Sequence, residues 1–466
     1  MNSTVIYPVP QLEIDRQAQY MRLFSTLPKR PMTYCIMTYG CQMNAHDSEK
    51  LAGMLTEMGL TEAPREEADF VLHNTCCIRD NAERKALGNV IWLKELKKDR
   101  PDMLIGVCGC MVQEQGMADS IRRQYPFIDI AFGTGTLHKL PELLYEAVER
   151  GTRMIEVDEE LNTIAEGVPI RRSSPWQTYV TVMYGCNNFC TYCIVPYVRG
   201  RERSRQPDDI VREVEDLVKA GVQEVMLLGQ NVNSYGRVPE TGLDFAGLLR
   251  RVSETGIPRI RFMTSHPKDL SDALIEEIGR NPRIMGHFHL PAQSGNDRIL
   301  KAMNRHYTVD QYMERADRLR QARPDIGLTT DLIVGFPGET EAEFRDTLAL
   351  VERMRFDSAF TFIYSPRVGT KAAEFPDQVP AEVSTDRITR LIAAQDKQTE
   401  RVLNGMVGQT VNVLVTDVSR RDAAMLTGKC ERNISVNFSG DAGDMGRIVP
   451  VTITAASRTT LKGKKK

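Results

Sequence analysis

The sequence predicts an α/β protein in three parts: an N-terminal parallel α/β unit, a partial β/α barrel, and a small C-terminal β-barrel of roughly OB-like size. Three observations carry this. Between residues 31 and 150, short apolar runs alternate with helix-periodic stretches, which argues a parallel sheet with helices outside it. The alternation resumes over 173–402, where six strand–helix units fit a partial or full barrel. From residue 403 the helical period vanishes, and "QTVNVLVTDV", "AAMLTGK", "ISVNF" and "GRIVPVTITAA" follow as strand-like runs split by Gly and Asp. That pattern suggests a small antiparallel barrel.

Taken in order, residues 1–30 show no clear period and read as an extension. Strands are expected at 34–38, 69–72, 103–107 and 128–131, with helices at "DSEKLAGMLTEMG" and "RDNAERKALGNVIWLKELKK" between them. The polar stretch "EVDEELNTIAEGVPIRRSSP", 156–175, has little period and reads as a linker, placed at 151–172. The second series places strands at 179–183, 224–228, 259–263, 287–290, 329–334 and 359–363. "DDIVREVEDLVKAG" sets Ile210, Val211, Val214, Leu217 and Val218 on one helical face and stops at Gly221, a good terminator. Thr340 with Glu343 forms a capping box ahead of Phe344, Leu348 and Val351.

The chain has 466 residues, 41% hydrophobic, 26% charged and 7% aromatic, ordinary for a globular protein. It contains no apolar run of ~18 residues, so no membrane span is expected. Its first residues lack a basic start and a long apolar core, so no secretory signal is expected and a cytoplasmic location is the default. Cytosolic thiols stay reduced, so ten cysteines, several clustered, point to metal or redox chemistry rather than disulfides. From residue 404 onward ten basic residues face five acidic ones. That end is therefore +5, and with −2 overall the rest is −7. A basic end on an acidic body suggests a polyanion partner; a frayed, solvated "KGKKK" tail accounts for part of the same charge.

"YGCNNFCTYCIVPYVRG" holds Cys186, Cys190 and Cys193, spaced C-x3-C-x2-C, just after the first strand of the second series. Barrel active sites lie at such strand ends. Thiolates suit zinc or iron–sulfur, and structural zinc takes four ligands. No fourth Cys or His lies nearby in sequence. Three thiolates on a four-iron cluster would leave one iron open to a small molecule; a structural loop or zinc knuckle is the alternative. The spacing, with Tyr192 before the last cysteine, resembles the radical S-adenosylmethionine (SAM) signature. The resemblance implies a 4Fe–4S cluster whose open iron binds SAM and yields a 5′-deoxyadenosyl radical. It also implies SAM contacts at Gly229, Gln230 and Asn231 of "LLGQNVNSYG", Ser265 and His266 of "TSHP", Gln293 and Ser294 of "LPAQSGN", and Gly335, Pro337 and Gly338 of "VGFPGET". Each motif ends an expected strand.

A second cysteine set lies in the first part: Cys41 in "YGCQMN", Cys76 and Cys77 in "NTCCIRDNAE", and Cys108 and Cys110 in "VCGCMVQ". Parallel sheets bind ligands beyond the carboxyl ends of their strands, so three strand ends can bring one thiolate each to a common point. By spacing alone, buried unliganded cysteines fit almost as well. Residues from about 33 to 466 resemble the methylthiotransferase family throughout. That resemblance implies five segments: a 1–30 extension, a 31–150 auxiliary-cluster domain, a 151–172 linker, a 173–402 radical SAM core and a 403–466 TRAM domain. It implies Cys41, Cys76 and Cys110 as ligands of an auxiliary 4Fe–4S cluster, Cys77 and Cys108 as bystanders, and packing roles for Cys35 and Cys430.

Within that family, "YGCQMN" and "LGQNVNSYG" resemble the branch acting on N6-isopentenyladenosine at position 37 of tRNAs reading codons that begin with U. The branches acting on threonylcarbamoyladenosine or on a ribosomal-protein aspartate tend toward "LGCKVN" and "LGCPKN". The resemblance implies two SAM per turnover, as methyl donor and radical source, and a methylthio group placed on carbon 2 of the adenine. "KCERNISVNFSG", with Arg432, resembles the RNA-gripping TRAM segment. Arg199, Arg201, Arg203 and Arg205 form a basic run that would meet tRNA phosphates, or else a solvated loop paired to local acids. Implied partners are the tRNA anticodon stem-loop, an electron donor such as flavodoxin or ferredoxin, and iron–sulfur carrier proteins; no membrane partner is expected, and the chain is expected to be a monomer. A zinc-containing RNA-binding module without catalysis is the alternative from another class.

Overall fold

The computed structural model describes residues 7–78, 80–158, 161, 163–238, 241–420 and 422–466. The chain forms two compact units. One comprises Met1–Ser173, Tyr184–Asn187 and Cys193–Arg203, the other Ser174–Met183, Asn188–Tyr192 and Ser204–Lys466.

In the first unit six parallel strands lie in the order Thr61–Glu62, Thr33–Thr38, Phe70–Thr75, Leu104–Gly109, Ile130–Phe132, Met154–Glu156. Every residue of the central strand Phe70–Thr75 is buried, as a parallel strand covered on both faces requires. Its side chains alternate between two cores. Phe70 and Leu72 join Phe24, Leu51, Leu55 and Phe132, while Val71 joins Val90, Leu93, Ile105 and Val107. The three adjoining strands end at Thr38, Thr75 and Gly109, so Cys41, Cys76 and Cys110 all fall beyond one edge of the sheet.

Two segments differ from the sequence expectation. Residues expected to be a periodless extension contain the helix Gln11–Ser25, with Gln17, Met21 and Phe24 buried. A glutamine on the inner face masks the period; Gln17 is buried against Glu13 and Glu142. The expected linker holds the sheet's last strand, Met154–Glu156, and Thr163–Ile164, which pairs parallel with Tyr7–Pro8. Such short strands are specified by their partners rather than by their own pattern.

In the second unit two three-stranded parallel sheets follow one another. Glu224–Leu228 lies between Gln177–Thr181 and Arg259–Phe262, and Gly327–Val334 lies between His287–His289 and Ser358–Ile363. A parallel bridge from Ile260 to Ile284 adjoins the two sets, giving the partial β/α barrel. The helix Pro207–Lys219 buries Ile210, Val214 and Leu217, and Gly221 follows at φ +87°, a left-handed value that glycine adopts freely. Thr340 and Glu343 cap the helix Glu341–Met354 reciprocally. Thr340→Ala should lower stability by about 1 kcal/mol in chemical unfolding; no shift in the midpoint would show that the cap contributes nothing.

The C-terminal strands Thr410–Val418, Leu426–Lys429, Ser435–Ser439, Ile448–Ala456 and Thr460–Lys465 close a five-stranded barrel around Val413, Val415, Val436, Phe438, Val451 and Leu461. It is not wholly antiparallel, since Ser435–Ser439 pairs parallel with Thr460–Lys465. Nor is "KGKKK" a frayed tail: all but its last residue belong to the closing strand, with Leu461 and Gly463 buried and Lys462 and Lys464 exposed. Barrel closure supplies the backbone partners that order it. Among the described residues, no helix is long and apolar enough to cross a membrane.

Candidate functional site: two cysteine triads and their arginines

In the first unit, backbone conformation builds the cysteine edge. Gly40 has φ +103°, and a Cβ there would lie 2.5 Å from the Cys76 Cβ and 2.6 Å from its Sγ. Gly109 has φ +96°, and its Cβ would meet the Thr75 carbonyl at 2.5 Å. Glycine is thus required just before both Cys41 and Cys110. Cys41 precedes the helix Gln42–Glu57 in an extended conformation (φ −107°, ψ 176°). One turn on, Asn44 donates to the Tyr39 and Thr75 carbonyls, both at 2.8 Å, and so ties two of the three strand ends together.

Arg199 completes this edge. Its Nε donates to Cys110 Sγ at 3.2 Å, one terminal nitrogen donates to Asn44 Oδ1 at 2.7 Å, and the other lies 2.8 Å from Asp47 Oδ2. The Cys77 thiol donates to Cys110 and, with Arg199, pushes Cys110 down to about 6 against the effect of burial. Burial holds Cys108 well above the ordinary thiol range and raises Cys41, with Arg199 opposing. A metal ligand must be a thiolate, so these surroundings favour Cys110 over Cys108. Among the described residues, no three His, Cys, Asp or Glu side chains form a single-ion site. A lone zinc needs every sulfur about 2.3 Å from one point, whereas a cluster takes its thiolates on separate irons. Three cysteines at adjoining strand ends, with Cys110 favoured as a thiolate, fit a cluster held from several points.

The C-x3-C-x2-C loop is shaped the same way. Gly185 (φ +74°) has no room for a Cβ against the Arg201 carbonyl, and the Cys186 N–H donates to the Gly200 carbonyl at 3.1 Å. Cys190 is buried, with an Arg305 terminal nitrogen 3.5 Å from its Sγ. Asn304 donates to the Asn188 and Phe189 carbonyls at 3.0 and 3.1 Å, and Thr191 is held by the Ala302 and Met303 carbonyls.

The residues expected to contact SAM divide into two kinds. Ser265 Oγ and His266 Nε2 are buried without a partner among the described residues, and burial holds the His266 imidazole neutral. Orphaned buried polar atoms need a partner, so both fit a bound polar ligand. Gly229, whose Cβ would lie 2.5 Å from Met183 Cγ, has no room for a side chain. Gln293 and Gly335 hold left-handed turns (φ +69° and +71°), and the Gly335 N–H donates to Glu339 at 2.7 Å, which Arg387 pairs at 2.9 Å. Asn231, Ser294 and Gly338 have internal partners instead. Asn231 joins Asp269 to the His266 N–H, Ser294 lies against Thr347 and accepts from the Asn296 N–H, and the Gly338 N–H donates to Asp377. Gln230 is half-buried and Pro337 buried.

The expected phosphate-binding run needs correction. Arg199 and Arg203 are buried: Arg199 is held by Asp47 and Cys110, and Arg203 donates to the Leu161, Arg201 and Arg199 carbonyls. Arg205 pairs with Glu213 at 2.8 Å, and Arg432 makes a two-pronged pair with Asp357. Of that set, Arg201 is the exposed member. Sequence reasoning missed Asn44, Asp47 and Arg305. Asn44 and Asp47 carry a faint signal, the i, i+3 spacing that places both on one helix face; Arg305 carries none.

Residues 33–133 match a family described as uncharacterized protein family UPF0004, residues 180–351 match the radical SAM superfamily, and residues 405–466 match the TRAM domain. Two solved structures of the radical SAM methyltransferase TsrM from Kitasatospora setae are similar in fold. One, with cobalamin and a [4Fe-4S] cluster bound, has TM-score 0.52 at 14% identity over 73% of this chain and 74% of its own. The other, with tryptophan and aza-SAM, has TM-score 0.50 at 14% identity over 71% and 72%. Fold and motifs together define a radical SAM enzyme carrying a TRAM domain. Much nearer in sequence are proteins named tRNA-2-methylthio-N(6)-dimethylallyladenosine synthase. Those of Clostridium perfringens (strain SM101 / Type A) and Acetivibrio thermocellus are 50% identical, over 92% and 98% of this chain and 97% of each relative. That of Thermoanaerobacter pseudethanolicus is 48% identical over 99% of this chain and 98% of the relative. The chain belongs to the tRNA-2-methylthio-N(6)-dimethylallyladenosine synthase family.

Proposed function

We propose that this chain places a methylthio group on carbon 2 of N6-dimethylallyladenosine at position 37 of tRNAs reading codons that begin with U. The observation that carries this is identity of about half the residues along almost the full length of named synthases. The cofactors are SAM and 4Fe–4S clusters. Cys186, Cys190 and Cys193 would hold one cluster, and Cys41, Cys76 and Cys110 the auxiliary one. An aromatic C–H offers a side-chain base no useful acidity, so when bound these groups supply the radical, the methyl and the sulfur that the protein cannot.

The protein's own residues bind and orient. Ser265 Oγ and His266 Nε2 offer hydrogen bonds to SAM, and Gly229 and Gly335 keep their strand-end turns packed against Met183 and Ser384. The Cys77 thiol, with Arg199 beside it, favours the thiolate form of Cys110. For tRNA, Lys462 and Lys464 on the closing strand and Arg201 present positive charge to phosphates, while the target base is read from an unpaired loop. The same proposal carries with it a cytoplasmic location, a flavodoxin- or ferredoxin-type electron donor, iron–sulfur carrier proteins and a monomeric chain.

Nucleoside mass spectrometry of tRNA from a deletion strain tests the substrate. The 2-methylthio form of N6-isopentenyladenosine should vanish and its unmethylthiolated precursor accumulate. Loss of the methylthio form of threonylcarbamoyladenosine instead would overturn the assignment.

A further inference from the structure

A guanidinium taken out of water is tolerated only when anions or good acceptors surround it. Arg305 is 4% exposed. Its Nε donates to the Tyr307 hydroxyl at 3.0 Å, one terminal nitrogen donates to the Pro291 carbonyl at 2.8 Å, and the other donates to Cys190 Sγ at 3.5 Å. The Tyr307 hydroxyl passes its own proton to the Ala292 carbonyl at 2.8 Å, which leaves its oxygen to accept from Arg305 and fixes the fork. Among the described residues, no carboxylate pairs with Arg305. Other buried arginines differ: Arg199 has Asp47, Arg261 has Glu224 and Arg387 has Glu339, each within 2.9 Å. Arg203 also lacks a carboxylate among the described residues, but it donates to backbone carbonyls. Arg305 is thus a cation held against a cysteine with no countercharge among the described residues.

We propose that the 4Fe–4S cluster held at Cys186, Cys190 and Cys193 is that countercharge, and that Arg305 is a positioning residue that sets the cluster's reduction potential through Cys190. This rests on the ligand assignment under Proposed function. Three thiolates leave the cluster with net negative charge, and accepting one electron from a low-potential donor adds another. A fixed positive charge donating to a ligand sulfur stabilises the reduced form more than the oxidised form, because net charge and hydrogen bonds to sulfur set such potentials. Arg199 does less for Cys110 because Asp47 already neutralises it.

The test uses the full-length chain with Cys41, Cys76 and Cys110 replaced by alanine, reconstituted anaerobically so that one cluster remains, and titrated with dithionite under EPR. Arg305→Met should keep about four irons per chain and shift the midpoint to more negative potential. Arg305→Lys, which keeps the charge and loses the fork, should stay at the reference midpoint. An unchanged midpoint in Arg305→Met at full iron content overturns the proposal, as does an equal fall in Arg305→Lys. Failure of iron-free Arg305→Met to fold also overturns it, since that marks a purely structural guanidinium. The ligand assignment is read separately: Cys190→Ala in this background should lose the iron, and retention there sinks the assignment itself.

Discussion

A Cys110→Ala chain is expected to fold, to hold about four irons where the parent holds about eight, to cleave SAM, and to make no methylthiolated nucleoside. The fold should survive because Arg199, deprived of its sulfur partner, keeps Asp47 at 2.8 Å and Asn44 at 2.7 Å. No buried charge is stranded, so the large penalty for an unpaired ion does not arise. SAM cleavage should survive because Cys186, Cys190 and Cys193 are untouched. Product should be lost because the sulfur-supplying site has lost one of three ligands, and a buried alanine offers nothing in its place. Cys108→Ala is the comparison. Its thiol is held protonated by burial, and its removal should leave iron content and product unchanged. Iron assay, 5′-deoxyadenosine formation and nucleoside mass spectrometry read the three outcomes. Product persisting in Cys110→Ala would move the assignment to another thiol, with Cys108 and Cys77 next to examine.

Asp47→Ala should be the most destabilising single change at the same edge. Asp47 is the carboxylate facing Arg199, and both side chains are at most 7% exposed. Removing one partner of a buried ion pair leaves the other uncompensated and costs about 3–5 kcal/mol. Cys110 and Cys41 are then the groups facing Arg199 that can carry the countercharge, so the variant should be rescued in part by cluster loading more strongly than the parent is. The two tryptophans fall one in each unit, Trp92 and Trp176, so in a Trp176→Phe background Trp92 fluorescence follows unfolding of the first unit alone. An unfolding free energy from urea titration within about 1 kcal/mol of the parent would mean that the pair is not needed to hold Arg199 inside.

These two variants separate what a linear reading reaches from what it does not. The strand–helix alternation, the helix Pro207–Lys219 with its Gly221 stop, and the Thr340–Glu343 capping box were legible because each depends on residues within a turn or a strand of one another. The C-x3-C-x2-C loop was legible for the same reason. The helix Gln11–Ser25 was not, since its inner face carries Gln17, which is satisfied by Glu142 far along the chain. The closing strand Thr460–Lys465 looked like a solvated tail because its order comes from Ser435–Ser439 and Ile448–Ala456 on either side.

By itself, the sequence determined the three-part α/β architecture, the reactive loop at a strand end and the presence of a second cysteine set, because local spacing encodes all of them. Only the tertiary structure decided which arginines are buried against a cysteine rather than left at the surface. Arg199 reads as one of four basic residues in a row until the sheet brings Cys110, Asn44 and Asp47 to it, and Arg305 has no local signal at all. The physical reason is that a charge's role depends on what surrounds it once water is excluded, and those surroundings are assembled from residues tens to more than a hundred positions apart.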